Sequence, residues 1–137
     1  MSRLQPILLI EDDLVDIMTV RRGFKEIGVL NTLIETHDGE EALDYLNSPV
    51  EGLPCVILLD INMPKMNGKE FMIALRNINN LTLVIVLTSN NLITDKEELF
   101  DLDIDDYMTK PFELKEIDMR IKAILKRKIK KDKEYTL

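Results

Sequence analysis

The sequence predicts an α/β fold in which a five-stranded parallel sheet lies between two layers of helices. Short and nearly continuous apolar segments recur along the chain, as at residues 56–59, and are typical of strands covered on both faces. Segments with apolar residues at helical spacing alternate with them. Five strands alternating with five helices favour parallel pairing, right-handed crossovers and helices on both faces of the sheet.

Length and composition predict one domain over residues 1–137, with a core at about 5–127 and a basic C-terminal extension at 128–137. The chain has 18 Lys and Arg against 25 Asp and Glu, a formal charge of −7. That balance argues against a general nucleic-acid binder, which needs a basic surface to neutralise phosphates.

The cysteine count and the apolar segments predict a cytoplasmic protein without membrane insertion. Cys55 is the only cysteine, and we expect it to be buried and reduced. The first apolar segment, residues 7–10, is too short for a signal peptide and ends in acids. No apolar stretch approaches the roughly 20 residues that a membrane span requires.

In the first half of the chain, strand 6–10 ends on Glu11, Asp12 and Asp13. The helix that follows stops at Gly28, which suits a left-handed residue after the last turn. A weaker strand is expected at 31–36, and Asp38 with Glu41 resembles a capping box that opens the helix 40–46. The apolar positions of the first helix are Leu14, Ile17, Met18, Val20, Phe24 and Ile27.

The second half continues the same alternation. Apolar residues at helical spacing (Phe71, Met72, Leu75 and Ile78) mark the third helix. In order, we expect strand 56–60, helix 69–78, strand 83–87, a short helix 94–102, strand 104–108 and a helix from 113 to about 131.

Acidic residues follow two strands that a doubly wound sheet makes neighbours. Glu11 and Asp12 come after the first strand, and Asp60 ends the third. Crowded carboxylates repel one another, and a hard divalent cation relieves that repulsion. Oxygen ligands without His or Cys favour Mg²⁺, which is commonly shared with a phosphate. The cluster therefore predicts a site for phosphoryl chemistry.

Thr88 at the end of the fourth strand and Lys110 after the fifth extend this interpretation. A hydroxyl and an ammonium can contact phosphoryl oxygens while Asp60 acts as acceptor. Taken singly, Thr88 is equally an ordinary strand-end hydroxyl, whereas Lys110 alone is better explained as a solvated loop lysine. Structural roles are favoured for three further residues taken alone: Asp13 as a helix cap, Tyr107 as part of the core and His37 as a solvated turn residue.

Four segments together resemble the receiver domain of two-component response regulators. They are residues 9–13, residues 59–64 with Gly68, residues 86–89 and residues 107–112. The resemblance covers about residues 5–127, and the motifs in this order are highly specific. It implies a (βα)₅ flavodoxin-like, three-layer sandwich with strand order 2-1-3-4-5.

The resemblance also implies roles for individual residues. A sensor histidine kinase or a histidine phosphotransfer protein would phosphorylate Asp60. Thr88 and Lys110 would contact the phosphoryl group, Tyr107 would be the switch aromatic, and the Lys110–Pro111 peptide would be cis. The expected Mg²⁺ ligands are Glu11, Asp12, Asp60 and the backbone carbonyl of Asn62.

The leading hypothesis is a stand-alone phosphoacceptor that acts on an unknown downstream protein. Its readout would be the surface formed by the fourth helix, fifth strand and fifth helix. A phosphohydrolase is disfavoured because Asn62 occupies the position where such enzymes carry a second acid. A pseudo-receiver is disfavoured because the whole set of site residues is present. One departure is Asp103, which stands where a helix-ending glycine is usual.

Overall fold

The computed structural model describes residues 4–61, 68–78, 82–88 and 103–135, of which 128–135 are described as backbone only. Five parallel strands form one sheet of order β2-β1-β3-β4-β5, which confirms the predicted fold class and topology. The strands are β1 Ile7–Ile10, β2 Leu33–Thr36, β3 Val56–Asp60, β4 Leu83–Thr88 and β5 Asp106–Thr109.

Four helices fall within the described residues. They are α1 Leu14–Glu26, α2 Gly39–Asn47, α3 Gly68–Asn77 and α4 Leu114–Tyr135. The predicted helix at 94–102 lies outside the described residues. The last helix, α4, continues through most of the segment that the sequence suggested as a C-terminal extension. None of the described helices is both long enough and apolar enough to cross a membrane.

The core consists of two apolar layers, one on each face of the sheet. Every residue of β1, β3 and β4 is buried, as expected for central strands covered on both sides. Alternate strand residues therefore pack against different helices. One layer joins Leu9, Leu58 and Ile85 to α1 and α4, and the other joins Leu8, Ile57 and Val84 to α2 and α3.

Helix α1 begins as predicted but presents a narrower buried face. The side chain of Asp13 caps it by accepting hydrogen bonds from the backbone of Val15 and Asp16, at 2.8 and 3.2 Å. Leu14 and Met18 were expected among the core-facing positions, yet they are 67% and 40% exposed. Ile17, Val20 and Phe24 are buried as predicted, and Gly23 joins them in the buried face, close to the side chain of Leu114 of α4.

The entrance to α2 has the predicted cap. Asp38 Oδ1 accepts the backbone N–H of Glu41 at 2.8 Å. The Glu41 carboxylate accepts a hydrogen bond from the backbone N–H of His37, and it also lies 3.1 Å from Nδ1 of the His37 ring. His37 is exposed, as a solvated turn residue should be. Cys55 was expected to be buried, but it is half-buried, because it precedes β3 near the end of the sheet.

The boundaries of β5 differ from the prediction at both ends, since the strand runs from Asp106 to Thr109. The strand was expected from Ile104, but it begins at Asp106. Asp105 contacts β4 just before the strand: its backbone N–H donates to the carbonyl of Val84 at 3.0 Å, and its carboxylate accepts the N–H of Val84 at 2.8 Å. Regular pairing with β4 begins with Asp106, two residues later than expected. Asp103 has φ of +66°, the left-handed conformation expected at a position where glycine is usual. The Lys110–Pro111 peptide is cis, as predicted.

Candidate functional site

The strand register brings the carboxyl ends of all five strands to one edge of the sheet. Ile10 is paired with both Thr36 and Leu59, so Glu11 follows β1 beside the ends of β2 and β3. The backbone of Glu11 donates to the carbonyl of Thr36 at 3.0 Å. On the other side, the backbone of Lys110 donates to the carbonyl of Thr88 at 2.7 Å. These backbone bonds fix the positions from which the side chains of Glu11 and Lys110 extend towards the site.

Three carboxylates converge at this edge. One oxygen each from Glu11, Asp12 and Asp60 lies within 4.8 Å of the other two. Glu11 and Asp60 are 1% and 5% exposed, whereas Asp12 faces solvent. An oxygen-only set with one open side suits a hard cation that keeps part of its water shell. The donor chemistry of this cluster therefore fits Mg²⁺.

Lys110 connects this cluster to helix α1. Its Nζ donates to Glu11 Oε2 at 2.7 Å and to Asp16 Oδ2 at 2.8 Å. The same nitrogen lies 3.7 Å from Oδ2 of Asp60, which is an ion pair without a hydrogen bond. The ammonium is thus held beside the predicted phosphoacceptor while it is bonded to two other acids.

Asp16 was not singled out from the sequence. It lies in the first turn of α1, three residues after the Asp13 cap. Its position in the chain could have indicated that Asp16 lies near the site, because the start of α1 must lie at the same edge of the sheet as the end of β1. Whether Asp16 contacts Lys110 depends on how far the two side chains extend, and strand order alone does not predict this.

The pKa values of Glu11 and Lys110 are both strongly shifted. Burial and the hydrogen bond shared with Asp60 raise the pKa of Glu11 to about 7, against the lowering effect of Lys110. Burial alone would lower the pKa of Lys110, but hydrogen bonds to Asp16 and Glu11 and the charge of Asp60 raise it well above its usual range. The lysine therefore stays charged, and the carboxylates hold surplus negative charge that a cation would relieve.

The remaining predicted residues lie around this centre. Thr88 ends β4 and is 2% exposed. Tyr107 lies within β5, paired in register with Val86, and is half-buried against the α2–α3 side of the core. Asn62 lies outside the described residues.

Comparison with known families agrees with this arrangement. A family model described as "Response regulator receiver domain" matches residues 7–122. The chain belongs to the response regulator receiver family. The receiver is similar to the transcriptional regulatory protein CiaR of Streptococcus pneumoniae, at 40% identity over 121 residues, 88% of this chain and 51% of that protein. It is also similar to the transcriptional regulatory protein CpxR of Escherichia coli K12, at 38% identity over 88% of this chain and 49% of the relative.

This receiver spans about half the length of the curated relatives that it matches. Solved structures of similar size match it over nearly their whole length. The receiver domain of the Francisella response regulator 1452 superposes with a TM-score of 0.80 at 30% identity, covering 91% of this chain and 99% of that one. A two-component response regulator from Legionella pneumophila gives 0.77 at 36% identity, covering 90% and 99%.

Proposed function

We propose that this receiver accepts a phosphoryl group on Asp60 and transmits the modification to a protein partner. The observation that carries the proposal is the position of the Lys110 ammonium, 3.7 Å from the Asp60 carboxylate and bonded to Glu11. A buried carboxylate beside a fixed cation, at the edge of a parallel sheet, suits an acceptor for phosphoryl transfer. Family membership supports a sensor histidine kinase or a histidine phosphotransfer protein as the donor.

Mg²⁺ is proposed as the cofactor of this reaction. Glu11, Asp12 and Asp60 would supply carboxylate oxygens, and the backbone carbonyl of Asn62 a further ligand. Bound Mg²⁺ would neutralise charge on these carboxylates and on the incoming phosphoryl group. The surplus negative charge described above supports this assignment, since it leaves the site with an acid whose pKa is about 7.

The proposed transfer is a displacement at phosphorus. A carboxylate oxygen of Asp60 forms the new O–P bond, the N–P bond of the donor phosphohistidine breaks, and the imidazole keeps the electron pair. Lys110 pairs with one oxygen of the transferred group and the Thr88 hydroxyl donates to another. Positioning and charge neutralisation supply most of the catalysis in such transfers, so these residues suffice without a general base.

The readout is proposed to be a shift between two conformers. Contacts from the phosphoryl group to Thr88 and Lys110 would favour one of them, and Tyr107 would change its orientation with the movement of Thr88. The backbone bond between Lys110 and Thr88 supports coupling of β4 to β5. Arg120 of α4 binds the Asp106 carboxylate at 2.9 Å and so ties α4 to β5.

The affected surface would include the segment 94–102, β5 and α4. A protein is proposed as the partner that reads this surface, because the net charge of −7 does not suit direct contact with phosphate backbones. The curated relatives CiaR and CpxR are named transcriptional regulatory proteins, and this receiver matches about half of each. A cytoplasmic location is also proposed, because the kinase or phosphotransfer protein proposed as the donor would act there.

Intact-protein mass after incubation with acetyl phosphate tests the proposal. Wild type is expected to gain one phosphoryl group in the presence of Mg²⁺ and none in EDTA, and Asp60→Asn should gain none. The matched control is Asp44→Asn, which removes an exposed acid of α2 and should be phosphorylated like wild type. If wild type gained no phosphoryl group and also failed to bind beryllofluoride, a stable phosphoryl mimic, the proposal would be wrong.

A further inference from the structure

We infer that Asp16 is a positioning residue that holds Lys110 in the unphosphorylated site and competes with the phosphoryl group for its ammonium. The inference rests on the proposed function. It concerns a residue outside the carboxylate cluster, and it follows from the contacts of one lysine side chain.

The geometry gives Asp16 a contact as close as that of Glu11. Asp16 Oδ2 lies 2.8 Å from Lys110 Nζ, and Glu11 Oε2 lies at 2.7 Å. An ammonium has three donor hydrogens, so two of them are directed to these acids. Asp60 Oδ2 lies 3.7 Å from the same nitrogen, which gives charge attraction between Lys110 and Asp60 without a hydrogen bond between these two residues. In this arrangement Lys110 is bonded to acids other than the acceptor.

Asp16 and Glu11 differ in what else they do. Glu11 belongs to the carboxylate cluster proposed to hold Mg²⁺, whereas Asp16 does not. When Glu11 turns to a cation, Asp16 is the acid among the described residues that remains hydrogen-bonded to Lys110. Its side chain is 37% exposed, so the contact lies at the mouth of the site rather than in the core.

The first turn of α1 holds Asp16 in place. Its backbone N–H is bonded to the Asp13 cap, which fixes the turn against the end of β1. The Asp16 carboxylate therefore attracts the Lys110 ammonium from a position that the capped first turn of α1 fixes. Nζ of Lys110 lies 3.7 Å from Asp60 while it is bonded to Asp16, so movement of the ammonium towards a phosphoryl group on Asp60 would compete with its bond to Asp16.

The test measures the affinity of the Mg²⁺-loaded protein for beryllofluoride by isothermal titration calorimetry. Asp16→Ala should bind about two- to fivefold more tightly than wild type, the range expected for loss of one partly exposed ion pair. Asp16→Asn should shift in the same direction by less, because the amide oxygen can still accept a hydrogen bond without the charge. Thermal unfolding confirms that each variant is folded.

Two controls separate positioning from general electrostatics. Glu26→Ala removes an exposed acid from the far end of the same helix and should leave the affinity unchanged. In a Lys110→Gln background, Asp16→Ala should have no effect, because the residue through which it acts is absent.

An unchanged or weaker affinity in Asp16→Ala would overturn the inference, as would an effect that persists without Lys110. Failure of wild type itself to bind beryllofluoride would instead overturn the proposed function, and the inference with it.

Discussion

Nζ of Lys110 lies 2.7 Å from Oε2 of Glu11, a residue 99 positions earlier in the chain. The bond joins the end of β1 to the turn after β5 across the middle of the sheet. It does not keep Glu11 ionised, because burial and the contact with Asp60 still raise the pKa of that carboxyl to about 7. The site without a cation therefore holds a proton on the acidic cluster below about pH 7.

The metal-free protein is expected to lose stability as pH rises from 4.5 to about 7. Glu11 has its ordinary pKa of 4.5 in the unfolded chain and about 7 in the folded protein. Between those values the folded state binds more protons, so raising the pH favours unfolding, and above them the effect levels off. Thermal unfolding in EDTA across this range measures the slope.

Glu11→Gln is the matched control for that slope. The variant keeps the size of the side chain and removes its titration, so its stability should vary less over the same range. Other acids, among them Asp105, whose pKa is raised by burial, contribute equally to both proteins. Equal slopes in wild type and Glu11→Gln would contradict the assignment.

Binding of Mg²⁺ is expected to release a proton at slightly acidic pH. A cation that recruits the Glu11 carboxylate must displace the proton bound below about pH 7. Affinity should therefore rise with pH and level off above neutrality. Calorimetry in two buffers of different ionisation enthalpy measures the release, and a binding heat that is independent of the buffer would count against it.

Gly23→Ala is expected to destabilise the protein, although alanine is the better helix former. A Cβ at this position would overlap the side chain of Leu114, where α1 packs on α4. We expect the free energy of unfolding to fall by about 1–2 kcal/mol, because overpacking outweighs the gain in helix propensity. Chemical denaturation measures the change.

The control is the same substitution in a Leu114→Ala background. With the obstructing side chain removed, Gly23→Ala should become neutral or stabilising. A stabilising effect in wild type would show that α1 and α4 pack less closely than the structure indicates.

Much of the fold could be predicted because the three central strands are continuous apolar segments. β3 was predicted to its last residue, since its apolar run ends abruptly on Asp60. The errors lie in α1 and β5. Leu14 and Met18 are apolar and helically spaced, yet they are exposed, whereas Gly23, which has no apolar side chain, lies in the buried face of α1 beside Leu114. β5 begins two residues later than expected, after Asp105, which binds Val84 through both its backbone and its carboxylate.

Part of the site could likewise be predicted from the sequence, and part could not. Strand order brings Glu11 and Asp60 together, and the resemblance to receiver domains predicted that order. The preference of Lys110 for Glu11 and Asp16 over Asp60 depends on differences of about one ångström between side-chain atoms. Such differences follow from packing and rotamers, which the sequence pattern does not specify.

Locating the phosphoryl group tests the central claim most directly. Borohydride reduces an acyl phosphate of aspartate to homoserine, so peptide mass spectrometry after acetyl phosphate treatment identifies the modified residue. The account predicts homoserine at position 60, formed with Mg²⁺ and absent in EDTA. Homoserine at position 12, or a phosphorylated protein with no homoserine at position 60, would contradict it.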